Sequence, residues 1–154
     1  MKAMILAAGF GTRLRPLTTV CPKPMFPVLN RPLLEHTLHR LSAQNIREIV
    51  INLHHLPEQI LDHFGDGSRF GVRLKFSCED QILGTAGGIK AARKYLNGEP
   101  FFVINSDVVA EIDLPRVMEF HRRRRSRLTL VVREDASPEK FDPIEMDGAG
   151  RIVH

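Results

Sequence analysis

Three short stretches of this sequence carry residue types able to handle phosphate. The first, Gly9-Phe10-Gly11-Thr12-Arg13-Leu14-Arg15, directly follows an apolar run over 2–7. Glycines at a strand end let backbone N–H groups approach a phosphate closely, a threonine hydroxyl adds a donor, and an arginine can hold phosphate oxygens with two parallel bonds. The same composition also describes a plain strand-to-loop turn with solvated arginines. It is neither a Walker A loop, which needs Gly-Lys-Ser/Thr, nor a dinucleotide fingerprint, whose third glycine would fall where Leu14 stands. The second is Lys23, set between Pro22 and Pro24. Two prolines stiffen the chain around it, and a fixed ammonium can neutralise charge on a transferring phosphoryl group; taken alone, though, a lysine in such a loop is a solvated lysine. The third is Asp107, just past the apolar run 101–104. A carboxylate there can hold a magnesium ion bridging phosphates, or simply cap a turn. One carboxylate does not make a two-metal site, so a second should come from elsewhere.

The elements that must position these residues alternate along the chain. The run 2–7 predicts a buried strand breaking into the glycine loop. The segment 12–32 holds five prolines and no helical period, which predicts an extended loop. Leu33, Leu34, Leu38 and Leu41 recur at helical spacing and predict a helix over 33–43. A strand is expected over 48–53, and a short helix opened by Pro57 and closed near Gly65. The segment 72–76 alternates apolar and basic residues, as a strand with one wet face does. A helix over 86–96, a buried strand over 101–104, a helix over 114–124 and a strand over 128–132 follow. Residues 144–146, a turn over 147–150 and residues 151–154 read as a hairpin cut off mid-strand, so the chain is expected to be the truncated, N-terminal part (1–154) of one domain. Strands alternating with helices predict an α/β, Rossmann-like, mostly parallel sheet with helices on both faces. Ligands bind such sheets outside the carboxyl ends of the strands, and three polar clusters, 9–15, 79–88 and 105–107, follow strand ends.

Composition narrows the class further. Among 154 residues, 43% are hydrophobic and 26% charged, ordinary for a soluble globular domain able to bury a core. The formal charge of +4 suits an anionic ligand but is too small to argue for nucleic acid. The basic run Arg122 to Arg125 falls at a predicted helix C-terminus, where cations complement the helix dipole, and lacks the interleaved aromatics that stack bases. Cys21 and Cys78 fit neither a metal spacing nor a disulfide framework, which points to a reduced, cytoplasmic setting. No apolar run is long enough for a membrane span. His54 and His55 are adjacent after a strand, so their side chains diverge and suggest loop histidines, not a shared metal.

Leu6-Ala7-Ala8-Gly9-Phe10-Gly11-Thr12-Arg13-Leu14-Arg15-Pro16, followed by Pro22-Lys23-Pro24, resembles the signature of the sugar-1-phosphate nucleotidyltransferases. Leu83-Gly84-Thr85-Ala86-Gly87 and Asn105-Ser106-Asp107 resemble that family's next two motifs, in order and at compatible distances. The resemblance is closest in character to mannose-1-phosphate guanylyltransferases and extends to uridylyltransferases acting on amino-sugar 1-phosphates. It implies that a nucleoside triphosphate and a sugar 1-phosphate react to give a nucleotide sugar and pyrophosphate, with Mg2+ as cofactor. Leu6, Ala7, Ala8 and Gly9 would hold base and ribose through backbone groups. Gly11, Thr12 and Arg13 would grip the triphosphate, Arg13 stabilising the leaving pyrophosphate. Lys23 would contact the phosphates around the reacting centre, Gly84 and Thr85 would line the nucleoside pocket, and Asp107 would ligate the metal.

Departures from the family pattern set further expectations. Ser106 replaces a usual glycine, a small-for-small change. Phe141-Asp142-Pro143 replaces an aromatic-glycine-valine turn beside the sugar, where Asp142 could repel a sugar phosphate. The family's second metal-binding aspartate and its acceptor-binding lysine would lie beyond residue 154, so this chain alone is expected to turn over weakly or not at all. Uridylyl and thymidylyl relatives place glutamine five residues before the motif glycine; here stands Glu79. A carboxylate only accepts hydrogen bonds, which suits the N–H donors of guanine and leans toward GTP. A non-catalytic nucleotide-sugar-binding regulatory subunit of the same fold is the rival reading. The sequence leaves the oligomeric state open, a homo-oligomer included.

Overall fold

The computed structural model describes residues 1–134 and 144–153. Along the chain run β1 (Lys2–Leu6), a small antiparallel pair β2 (Pro27–Val28) and β3 (Arg31–Pro32), α1 (Leu33–Ala43), β4 (Glu48–Leu53), α2 (Pro57–Phe64), β5 (Arg73–Cys78), α3 (Gly84–Ala91), α4 (Arg93–Leu96), β6 (Phe101–Asn105) and α5 (Leu114–Arg124). The four longer strands form one parallel sheet in the order β5-β4-β1-β6. The chain steps outward from β1 to β4 and β5, then crosses back to lay β6 on the other side of β1. That reversal of direction opens a crevice at the carboxyl ends of β1 and β6.

Both faces of the sheet are covered, which is why its central strands are almost continuously apolar. On one face Ala3, Ile5, Ile49 and Ile51 are buried in a core shared with Leu34, Leu38 and Leu41 of α1, Ile60 and Phe64 of α2, and Leu114 and Met118 of α5. On the other, Met4 and Val50 lie against Ala92 and Leu96. At the outer edge Leu74 is buried while Arg73 and Lys75 are exposed, the single wet face expected of β5.

Three segments differ from the sequence-based expectation. The span 12–32 is not simply extended: it folds into 3-10 turns at Thr12–Leu14, Leu17–Thr19 and Lys23–Met25, besides the β2–β3 pair. Prolines with fixed φ start two of these turns, the carbonyls of Pro16 and Pro22 accepting from Thr19 N–H (3.0 Å) and Met25 N–H (2.8 Å). The helix expected over 86–96 begins earlier, at Gly84, and breaks at Ala92, whose small side chain is fully buried against the sheet. The strand expected over 128–132 is absent: among the described residues no strand pairs with it, and apolar alternation alone supplies no hydrogen-bonding neighbour.

Residues 1–118 form one compact unit and Glu119–His154 a second. Within the second, Met146 bridges Ile152 in an antiparallel pair, and the Asp147 carboxylate accepts from the N–H groups of Ala149 (3.0 Å) and Arg151 (2.8 Å). Hydrogen bonds, those from Arg151 foremost, hold the Asp147 carboxyl below its usual range. Asp142 lies outside the described residues. No helix among them is long and apolar enough to cross a membrane.

Candidate nucleotide site

Strand register sets the level of the site. Leu6, the last residue of β1, stands opposite Asn52 of β4 and Asn105 of β6. Beyond that row the chain leaves β1 through buried Ala7 and Ala8 into the glycine turn, and leaves β6 through Ser106, whose N–H donates to Leu6 O at 3.1 Å. Gly11 has φ +61°, and a Cβ there would lie 2.8 Å from Thr18 Cγ2. The position therefore excludes a side chain on both conformational and steric grounds. Thr18, itself buried, donates its hydroxyl to Gly11 O at 3.0 Å and closes the loop back on its own start.

The three 3-10 turns return the chain across the crevice, so that the Lys23 ammonium pairs with the Asp107 carboxylate. Between these elements lies a cavity of about 340 Å³, lined by Leu6, Ala7, Ala8, Gly9, Gly11, Arg13, Lys23, Asn52, Gly84, Thr85, Ser106 and Asp107 among others. That volume falls within the roughly 300–1,000 Å³ typical of small-molecule sites. Two cations and one carboxylate in its wall give it an excess of positive charge. Ten of the residues singled out from the sequence thus share one cavity wall.

Two do not. Thr12 lies in the first 3-10 turn, its carbonyl accepting from Arg15 N–H at 3.3 Å, and is not part of the lining. Glu79, expected to face the base, is buried behind the wall with both carboxylate oxygens engaged. Oε1 accepts from Asn52 Nδ2 at 2.8 Å and Oε2 from Leu83 N–H at 2.9 Å. The strand-end register that carries Asn52 to this level also brings it within reach of Glu79, and the carboxylate is bonded to protein before any base arrives.

Asn52 is the residue that sequence reasoning missed. It is buried, it lines the cavity, and its Oδ1 accepts from Ala7 N–H at 3.0 Å. Its signal is one amide side chain in the otherwise apolar end of β4, Ile49-Val50-Ile51-Asn52-Leu53.

Behind the glycine turn stands a second layer. His54 Nδ1 donates to Glu79 O (2.7 Å) and His55 Nε2 to Thr18 O (2.6 Å), so the adjacent histidines serve different loops. The Phe10 ring meets both, at centroid distances of 5.2 and 5.6 Å. Burial pushes the Cys21 thiol up, which disfavours the nucleophilic thiolate.

Among the described residues no group of three or more His, Cys, Asp or Glu side chains could hold a metal by itself. A lone carboxylate on the wall of this cavity still fits Mg2+, which typically takes one or two carboxylates and completes its shell with water and substrate phosphates. Asp107 is that carboxylate.

A parallel sheet with a glycine turn and basic residues at its switch point is an open α/β domain of the kind whose ligands bind at that edge. The chain belongs to the nucleotidyl transferase family, whose model matches residues 2–154. It is 38% identical over 157 residues to mannose-1-phosphate guanylyltransferase 1 of Arabidopsis thaliana, covering 99% of this chain and 44% of that protein. The mannose-1-phosphate guanylyltransferase of Mycobacterium tuberculosis is 36% identical over 151 residues, covering 98% and 42%. Among solved structures, HddC from Yersinia pseudotuberculosis complexed with GMP-PN superposes with a TM-score of 0.71 at 32% identity, over 78% of this chain and 53% of that one. UDP-glucose pyrophosphorylase complexed with UDP-glucose shares the fold, with a TM-score of 0.68 at 20% identity over 80% and 54%. The chain spans less than half the length of the two curated relatives.

Proposed function

We propose that this domain supplies the nucleotide site of a sugar-1-phosphate nucleotidyltransferase that joins a nucleoside triphosphate, GTP in preference, to a sugar 1-phosphate, mannose 1-phosphate in preference. The observation that carries the reading is a single cavity holding the glycine turn, Arg13, Lys23 and Asp107 together. In this reading Leu6, Ala7, Ala8 and Gly9 receive the nucleoside with Gly84 and Thr85 opposite, and Gly11 and Arg13 receive the phosphates. A phosphate oxygen of the sugar 1-phosphate attacks the α-phosphorus in line; the new P–O bond forms as the α–β bridging bond breaks and pyrophosphate departs. No covalent intermediate with the protein is needed: positioning, with neutralisation of charge by Arg13 and Lys23, lowers the barrier. Asp107 would hold a magnesium ion, which would supply further charge neutralisation at the phosphates when bound. Support for GTP comes from the names of the relatives, since Glu79 is occupied elsewhere.

Calorimetric titration with GTP, UTP and ATP in the presence of Mg2+ tests the reading. Saturable binding is expected, weakened about tenfold or more by Arg13→Ala, the loss of a charge-assisted phosphate contact. Failure of all three nucleotides to bind overturns it. Pyrophosphate release from GTP and mannose 1-phosphate, against a panel of other sugar 1-phosphates, then tests the substrate pair in the complete protein.

A further inference from the structure

The Asn52–Glu79 pair forms a bracket between two loops that flank the cavity and lie far apart in sequence. Along it, Ala7 N–H donates to Asn52 Oδ1 (3.0 Å), Asn52 Nδ2 donates to Glu79 Oε1 (2.8 Å), and Leu83 N–H donates to Glu79 Oε2 (2.9 Å). Ala7 opens the glycine turn; Leu83 precedes Gly84 and Thr85. Both bracket side chains are buried, Asn52 3% and Glu79 7% exposed. Helix α3 closes over them: a Cβ on Gly88 would sit 2.7 Å from Asn52 Nδ2 and 2.8 Å from Glu79 Oε1. Two backbone donors at the ends require an acceptor at each end, and one donor must lie between. An amide at position 52 with a carboxylate at position 79 satisfies that sequence of donors and acceptors.

We infer that Asn52 and Glu79 are positioning residues that lock the glycine turn and the 79–85 loop into one preformed nucleotide cradle, and that Glu79 does not choose the base. This rests on the nucleotide-binding reading above. Fixed spacing between the two loops is what a preorganised site needs, because a ligand then meets groups already ordered. A buried network in which each side-chain oxygen and nitrogen has a partner holds that spacing better than an exposed one.

The polarity of the bracket supplies its own test. Glu79→Gln sets an amide N–H against a donor, either Asn52 Nδ2 or Leu83 N–H; Asn52→Asp sets a second carboxylate against Glu79. The double variant Asn52→Asp/Glu79→Gln restores every bond with the middle one reversed. In it, the new carboxylate at position 52 would accept from Ala7 N–H and from the new amide at position 79, whose oxygen would accept from Leu83 N–H. For each variant, GTP, UTP and ATP affinities are titrated alongside amide exchange at Ala7 and Leu83 in the nucleotide-free protein. Each single change is expected to weaken all three nucleotides about tenfold, the effect of one buried hydrogen bond turned unfavourable, with the base ranking unchanged and both amides exchanging faster. The double variant is expected to recover affinity and protection together.

A changed base ranking in Glu79→Gln, or a double variant no better than the singles, overturns the inference. So does a loss of melting temperature with unaltered affinities, the mark of a purely structural role. If the singles do not fold, recovery of folding and binding in the double variant supports the bracket, and its absence counts against it. Wild-type protein that binds no nucleotide sinks the functional reading separately, while amide exchange still reports whether the bracket exists.

Discussion

One side of the cavity is buried and internally matched; the other is open and charged. Asn52 and Glu79 have their polar contacts satisfied within the protein. Lys23 and Asp107 face each other with 30% and 33% of their side chains still exposed. A buried hydrogen bond contributes about 0.5–1.5 kcal/mol net and costs more when broken on one side only. A pair this exposed is screened by water and contributes roughly 0–1 kcal/mol. Shape is therefore held by groups that a ligand need not disturb, and charge is held by groups weakly enough paired to exchange partners with the phosphates of the proposed substrate. Separating the two tasks lets the cradle stay rigid while its charges rearrange.

The largest expected effect tests the charged side. Asp107→Ala should lower nucleotidyl transfer by the complete protein about 100-fold or more, on the scale of losing a preorganised electrostatic contact at the reacting phosphates. Its folding stability should change little, because the carboxylate is partly solvated. Chelating Mg2+ should reproduce the loss in the wild type and add little in the variant. A regulatory sensor would instead keep its ligand response in Asp107→Ala. Full turnover by the variant would remove Asp107 from the chemistry and blur the division between the two sides.

Gly88→Ala tests the matched side with no change of charge. Its methyl would meet Asn52 Nδ2 and Glu79 Oε1 well inside contact distance. Overpacking of this kind costs about 1–3 kcal/mol, read as a lower urea midpoint at constant m-value. Nucleotide affinity should fall with it, through the displaced bracket. Unchanged stability would mean that α3 is free to shift and that the bracket is less tightly sealed than its geometry indicates.

Much of this layout is legible in the sequence, for physical reasons that also mark where reading fails. Helices α1 and α5 match their expected bounds because their apolar residues recur at helical period against a core. The parallel sheet follows from strand–helix alternation, and parallel order places Gly9, Asn105 and the residues after them at one edge. Lys23 meeting Asp107 is not legible from spacing alone, since 84 residues separate them; only the resemblance of the two motifs to one family joins them. Glu79 marks a limit of such reading: its chemistry says what it can bond, while the fold decides that Asn52 and Leu83 stand nearest. Asn52 escapes notice because it sits inside an apolar run, where burial of a lone amide signals a required partner. The strand expected over 128–132 fails for a third reason: a strand needs a neighbour, and the alternation of Leu128, Leu130 and Val132 names none.

The smallest effect bears most directly on the contrast between the two sides. In nucleotide-free protein, Lys23→Met removes one partner of the open pair and leaves Asp107 hydrated. The expected loss of stability is at most about 1 kcal/mol, and it should shrink further in about 1 M NaCl, where the screening length falls to roughly 3 Å. Asn52→Ala, by contrast, strands Ala7 N–H and one Glu79 oxygen in a buried setting, and its larger loss should persist at high salt. Urea unfolding of both variants at low and high salt measures the difference. A Lys23→Met loss as large and as salt-resistant as that of Asn52→Ala would make the Lys23–Asp107 pair a second structural bracket, and its charges would then not be free to turn toward a phosphate.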